Sequence, residues 1–274
     1  MIELPEATVL AKQISETVSG KRINKVIAAH NPHKFAWYYG DPQDYQGLLA
    51  GKVIGAAVSC GGLVEIAAGS ATLLFGDGAG LRYYSEGEKL PQKHQLWITF
   101  ADGSSLVSSV QMYGGIWAFP TGSFDNKYYR MSKERISPLM DAFDRSYFGA
   151  LFCEKTDKLS LKAFLATEQR IPGLGNGVLQ DILFNAKMHP KKKVSTLSKK
   201  DKEGLLDSLK LTLSRMVTHG GRDTEVDLYG RQGGYKTILS RNTVGKPCPI
   251  CGTIIQKEAY MGGSIYFCST CQKT

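Results

Sequence analysis

Apolar and polar positions along the chain follow two different periods, and the change from one to the other divides it. From Pro5 to about Val18 the apolar residues recur at helical spacing, which predicts a helix. Between residues 22 and 120 the pattern shortens to alternation and compact apolar runs. "RINKVIAAH", "LVEIA", "ATLLFG", "LRYYS", "QLWITF", "SLVSSV" and "GIWAF" read as short strands, with Asp102-Gly103 as a two-residue hairpin turn. Many short strands at regular spacing predict a sandwich or barrel. From about Asp141 the period becomes helical, in "LSLKAFLATE", "GVLQDILFNAKM" and "KEGLLDSLKLTLSRMVTHGG", the last ending on a glycine pair suited to a helix C-cap. The switch places a domain boundary near residues 121–145, and no internal repeat accompanies it.

Composition adds limits rather than detail. A chain of 274 residues, 42% hydrophobic, has room for two or three modest domains with cores of their own and is not a disordered protein. No apolar run approaches the roughly 18 residues of a membrane span, and the N-terminus lacks a signal-peptide layout, so a cytoplasmic protein with no membrane partner is expected. Charge is more informative. Residues 1–150 hold 14 Lys+Arg and 14 Asp+Glu; residues 151–274 hold 20 and 11, so 20 − 11 = +9, the whole net charge. A solvated lysine-rich face or a polyanion partner accounts for such an excess, nucleic acid leading among the partners.

Four of the six cysteines form Cys248-x2-Cys251 and Cys268-x2-Cys271, sixteen residues apart. Two such knuckles bring four thiolates to one tetrahedral centre, the arrangement Zn²⁺ requires, and a reducing compartment disfavours the disulfide alternative. Cys60 and Cys153 read as buried apolar side chains. Between the knuckles "TIIQKEAY" and "SIYF" alternate like two strands joined through Gly262 and Gly263, a hairpin small enough to need its metal. Farther back, "RIPGLGNG" (170–177) is a tight turn between helices, with Asn176 at a plausible N-cap and backbone N–H groups free to hold a phosphate.

Taken in order, the leading "ELPE", the "GLGN" turn, "AKMHP" one helix later and the terminal four-cysteine hairpin resemble the formamidopyrimidine-DNA glycosylase and endonuclease VIII family over nearly the whole chain. The resemblance implies an α+β multidomain fold. A β-sandwich would occupy 1–135, a helix-two-turn-helix domain 136–223, and a mobile loop with a zinc finger 224–274. It implies base-excision repair: a monomer binding damaged double-stranded DNA, nucleoid-associated if bacterial, everting an oxidised base and hydrolysing its glycosidic bond. Glu3 matches the family's catalytic glutamate, Glu6 a supporting one, and the terminal amine, here that of Met1, the nucleophile. Lys162 and Asn176 match phosphate contacts. Gln111-Met112-Tyr113 aligns with a loop that fills the gap left by the everted base, although a strand end packing Met and Tyr inward fits the same string. "LYGRQGGYKT" (228–237) lies where the family carries a loop over the base, so that Tyr235 would stack and Lys236 would meet DNA; a plain surface loop fits as well.

Three positions depart from the family. Position 2 is Ile rather than Pro, which leaves Met1 in place and its amine one residue farther out, weighing against lyase chemistry. A catalytic lysine is replaced near Gly61 and a phosphate-gripping arginine near Gly263. The alternative to an enzyme is therefore a non-catalytic protein of the same fold that binds lesions or abasic sites; a zinc-ribbon protein acting on RNA ranks third, for want of an aromatic single-strand motif.

Overall fold

The computed structural model describes residues 1–273, which divide into two compact units: residues 1–132 with 225–232, and residues 133–224 with 233–273. The helical segment and the cysteine hairpin, read as separate domains from sequence, thus pack as one.

In the first unit, helix α1 (Leu4–Thr17) is followed by β1 (Ile23–Ala28), β2 (Ala36–Trp37), α2 (Tyr45–Leu49), β3 (Ile54–Cys60), β4 (Leu63–Ala68), β5 (Ala71–Tyr84), β6 (Leu96–Phe100) and β7 (Ser105–Pro120). The strands form one hydrogen-bonded sheet, ordered β1-β6-β7-β5-β4-β3, with β2 added in parallel to β7. The sheet doubles over a shared core because β5 and β7 are long enough to serve both halves. Val64, Ile66 and Phe75 from one half bury against the same cluster as Leu81, Leu96 and Ile98 from the other. Alternation along β6 (buried, half-buried, buried) is the pattern the sequence shows in "LWITF".

The bend falls on a bulge. Asp77 pairs with Gly114 and Ala79 with Val110, so Gln111, Met112 and Tyr113 on β7 stand opposite Gly78 alone. Gly78 is obligatory there, since a Cβ would lie 2.4 Å from the Tyr113 carbonyl oxygen. Helix α1 covers the edge strand β3, where Ser15 Oγ accepts from the Ala57 N–H (3.0 Å) and donates to its carbonyl (3.1 Å).

In the second unit, which begins within α3 (Lys127–Glu134), come α4 (Arg145–Ala150), α5 (Glu154–Asp157), α6 (Leu161–Ala166), α7 (Val178–Asn185), α8 (Lys199–Thr218) and the hairpin β8 (Gln256–Tyr260) and β9 (Gly263–Phe267). Ser160 caps α6, and a Ser198–Asp201 capping box starts α8. The expected glycine pair ends α8: Gly220 and Gly221 take positive φ while the Gly221 N–H reaches back to the Met216 carbonyl at 2.8 Å. Between α6 and α7 the turn runs through left-handed Glu168, Gln169 and Gly173 and buries Ile171 and Leu174. The cap of α7 is Gly177, not Asn176, whose side chain is engaged elsewhere.

Candidate active site and nucleic-acid interface

The N-terminal segment is held in place by the bulge. Ile2 donates its N–H to the Asp77 carbonyl at 2.6 Å, and its side chain joins the core. Pro5 at the first turn suits the helix start, and Glu6 accepts from the Glu3 N–H at 3.3 Å. Both carboxylates are buried to 5% exposure, so "ELPE" is a built helix start rather than a frayed end. One residue beyond the anchor the Met1 amine remains accessible and forms an ion pair with Glu225.

Met1, Ile2 and Glu6 line a cleft of about 150 Å³ together with Asp77 to Arg82, Ser109, Gln111, Glu225 and Val226. Asp77 lies in the left-handed region (φ 57°), and burial pushes its carboxyl above the usual range. Arg82 is lowered by burial and donates to the Leu81 and Asp227 carbonyls. Tyr113 is raised, first by burial and then by the charges of Asp77 and Glu3; its hydroxyl meets Met1 Sδ at 3.7 Å.

Beside the cleft Met112 is 68% exposed and Gln111 also faces solvent, while the Tyr113 ring is tilted against Trp37 at 5.7 Å between centroids. The string therefore ends no strand; it is the long side of the bulge, with its Met outward. Gly61 sits in the β3–β4 turn at φ 58°, a conformation that favours glycine.

The loop read at 228–237 divides between the units. Leu228 is fully buried in the first unit's core, its N–H donating to Gln13 Oε1 (3.0 Å) and its carbonyl accepting from the Tyr83 N–H (2.9 Å). Tyr235 hydrogen-bonds the buried Asp181 carboxylate, which also accepts from the N–H groups of Ile238 (2.9 Å) and Leu239 (2.8 Å). Lys236 is exposed.

In the second unit Lys162 and Asn176 converge under the finger tip. Lys162 Nζ donates to the Tyr260 carbonyl, Asn176 Nδ2 to that of Ser264 (2.8 Å), and Gln180 Nε2 to the same oxygen (3.2 Å). Burial lowers the Lys162 ammonium. The hairpin turn is Met261-Gly262, both at positive φ, one residue earlier than the glycine pair suggests. A Cβ on Gly263 would stand 3.4 Å from Lys162 Nζ and 3.7 Å from Asn176 Nδ2, so the turn places no side chain against this pair, in which Lys162 is buried and Asn176 half-buried.

All four thiols of Cys248, Cys251, Cys268 and Cys271 lie within 4.8 Å of one another, with Sγ separations of 3.8 Å for 248–271 and 3.4 Å for 251–268 and 251–271. Tetrahedral zinc–thiolate bonds of about 2.3 Å set sulfurs about 3.8 Å apart, so the donor set fits a structural metal.

Sequence reasoning missed Asp77, Arg82 and Glu225 as neighbours of the N-terminus. A readable signal existed in "FGDGAG", since glycines inside a strand pattern mark a bulge or a close approach.

Residues 136–227 match the family model for the formamidopyrimidine-DNA glycosylase H2TH domain. The chain is 28% identical to the formamidopyrimidine-DNA glycosylase of Listeria innocua over 284 aligned residues, covering 100% of both, and 27% identical to that of Wolbachia pipientis, covering 99% of this chain and 100% of the relative. Its fold is that of the MutM (Fpg) protein of Thermus thermophilus (TM-score 0.80, 22% identity, 98% of each chain) and of Lactococcus lactis Fpg in complex with abasic-site DNA (TM-score 0.83, 23% identity, 99% and 100%). With an H2TH match in its helical segment, relatives aligned from end to end, and a four-cysteine hairpin in the same fold, the chain is similar over its whole length to the formamidopyrimidine-DNA glycosylases.

Proposed function

We propose that this chain is a DNA glycosylase that binds damaged duplex DNA, takes an everted oxidised base into the cleft beside its N-terminus, and hydrolyses the N-glycosidic bond. The observation that carries the reading is the anchored N-terminus: one 2.6 Å hydrogen bond from Ile2 to Asp77 sets the amine and Glu6 on the wall of a cleft of about 150 Å³, with buried Glu3 at the helix start. Glu3 takes part in bond cleavage, and Glu6 orders the segment through the Glu3 N–H. Water is the nucleophile, because the Met1 amine is ion-paired with Glu225 and one residue beyond the anchor.

Duplex binding falls to the second unit. Lys162 has two N–H donors left after its bond to Tyr260 and Asn176 has one, enough to grip a phosphate approaching the gap at Gly263. Gln111, Met112 and Tyr113 fill the space vacated by the base, and Lys236 adds charge. Zn²⁺ on the four cysteines holds the finger tip over Lys162 and Asn176; its role is structural.

Borohydride trapping on an abasic-site duplex, together with mass spectrometry of bases released from oxidised DNA, tests the reading. Free base released without a trapped adduct, and lost in Glu3→Gln, is the expected result. An adduct on Met1 would replace water by the amine. The absence of a side chain at Gly61 and Gly263 favours a second reading, a lesion-binding protein without catalysis, for which binding with neither release nor adduct would be found.

A further inference from the structure

Asp77 is the least explained charged residue in the first unit. Its carboxylate is half-buried on the wall of the cleft and has no hydrogen-bond or ion-pair partner among the described residues; burial alone pushes it up. Its backbone is left-handed at φ 57°, a conformation that Asn and Asp tolerate better than other side-chain-bearing residues. A carboxylate that is part-buried, unpartnered and on a strained backbone is costly to keep, and such groups concentrate where chemistry is done. The bulge determines its position: Gly78 must follow it to clear the Tyr113 carbonyl, and its own carbonyl anchors Ile2.

We propose that Asp77 is the general base that activates water for glycosidic hydrolysis, a role that rests on the excision reading above. A water in the cleft gives a proton to the Asp77 carboxylate as its oxygen bonds to the sugar C1′. The C1′–N bond breaks, its electron pair leaves with the base nitrogen, and that nitrogen takes a proton from solvent; one water is consumed and no redox partner is needed. An unpartnered carboxylate with a raised affinity for protons suits this task better than one held in an ion pair. The charged and titratable groups around it are the Met1 amine, Glu3 and Glu6 from the N-terminal segment, Arg82 from β5, Tyr113 from β7 and Glu225. Of these, Met1 is paired with Glu225, and Arg82 with backbone carbonyls. In a chain that lacks the family's proline at position 2 and a lysine near Gly61, Asp77 supplies the proton acceptor that an amine would otherwise make unnecessary.

The test compares the full-length wild type with Asp77→Asn, which keeps the left-handed backbone accessible. Peroxide-oxidised duplex DNA is the substrate, release of free bases is measured from about pH 4 to 9, and binding to an abasic-site duplex is the control. The expected result is a loss of release on the order of a hundredfold or more with unchanged binding. The wild-type rate should also fall on the acid side with an apparent pKa above the ordinary aspartate range, a limb absent from the variant's residual rate. Release at the wild-type rate in the variant, or an identical acid limb, overturns the assignment. Loss of binding along with release also overturns it, by making Asp77 a folding residue. An equal borohydride adduct on Met1 in both proteins overturns Asp77 alone. A wild type that binds duplex but releases no base overturns the excision reading, and this role with it.

Discussion

Asp181 shows how much one buried side chain organises. It belongs to α7, is almost wholly out of water, and answers two backbone N–H groups of the segment after Lys236 as well as Tyr235. Burial outweighs those bonds and pushes its carboxyl up to about 6. A folded-state value above the unfolded 3.8 means that the native state binds this proton more tightly. The group's stabilisation is therefore complete below about pH 3.8 and is lost as pH rises through 6, a change on the order of 3 kcal/mol. Urea unfolding of the wild type should show this decline between pH 4 and 7, and Asp181→Asn should lack it; parallel profiles would refute the account. Nothing in "LQDILF" announces the role, because the partners lie 57 and 58 residues away. Tyr235, whose glycine-flanked position reads either as a stacking residue or as part of a plain surface loop, has its hydroxyl hydrogen-bonded to Asp181, a partner equally invisible in its neighbours.

At the scale of elements, periodicity served well where one face of an element meets one core. The strands and the three long helical stretches follow the alternation and helical spacing of their apolar residues, since burying that face is what stabilises them. It served poorly in the segment 225–232, which has no period because it packs as a strap and not as an element. Leu228 inserts into the core between α1 and β5, while Gln13 donates to Asp227 Oδ2 at 2.9 Å. Leu228→Ala should lower the stability of the first unit by about 2–5 kcal/mol in urea or thermal unfolding, the usual cost of emptying a closed site. A change below about 1 kcal/mol would mean that the strap is a surface loop. The bulge at Gly78 belongs to the same class, since its irregularity is set by how two long strands meet.

At the scale of the whole molecule, the +9 charge and the cysteine centre lead to measurable behaviour. If Lys162 touches a phosphate, Lys162→Ala weakens duplex binding alike across sequences and flattens its salt dependence by roughly one contact; an unchanged slope removes it from the interface. Stripping the metal with a chelator should melt β8 and β9, withdraw the carbonyls of Tyr260 and Ser264 from Lys162 and Asn176, and reduce duplex affinity, with zinc restoring both the circular dichroism signal and binding. A chelated protein with unchanged stability would show that the four thiols need no metal. The sequence by itself determined the strand-rich and helical regions, the turn between α6 and α7, the metal-binding spacing, the acidic helix start and the location of the charge, because each is written within a window of neighbouring residues. Only the tertiary structure decided that Asp77 and Glu225 stand beside Met1, that the finger tip rests on Lys162 and Asn176, and that Leu228 belongs to the core. Those pairings join residues some 75 to 225 positions apart, and they are set by where sheets bend and helices pack, which no local pattern of side chains records.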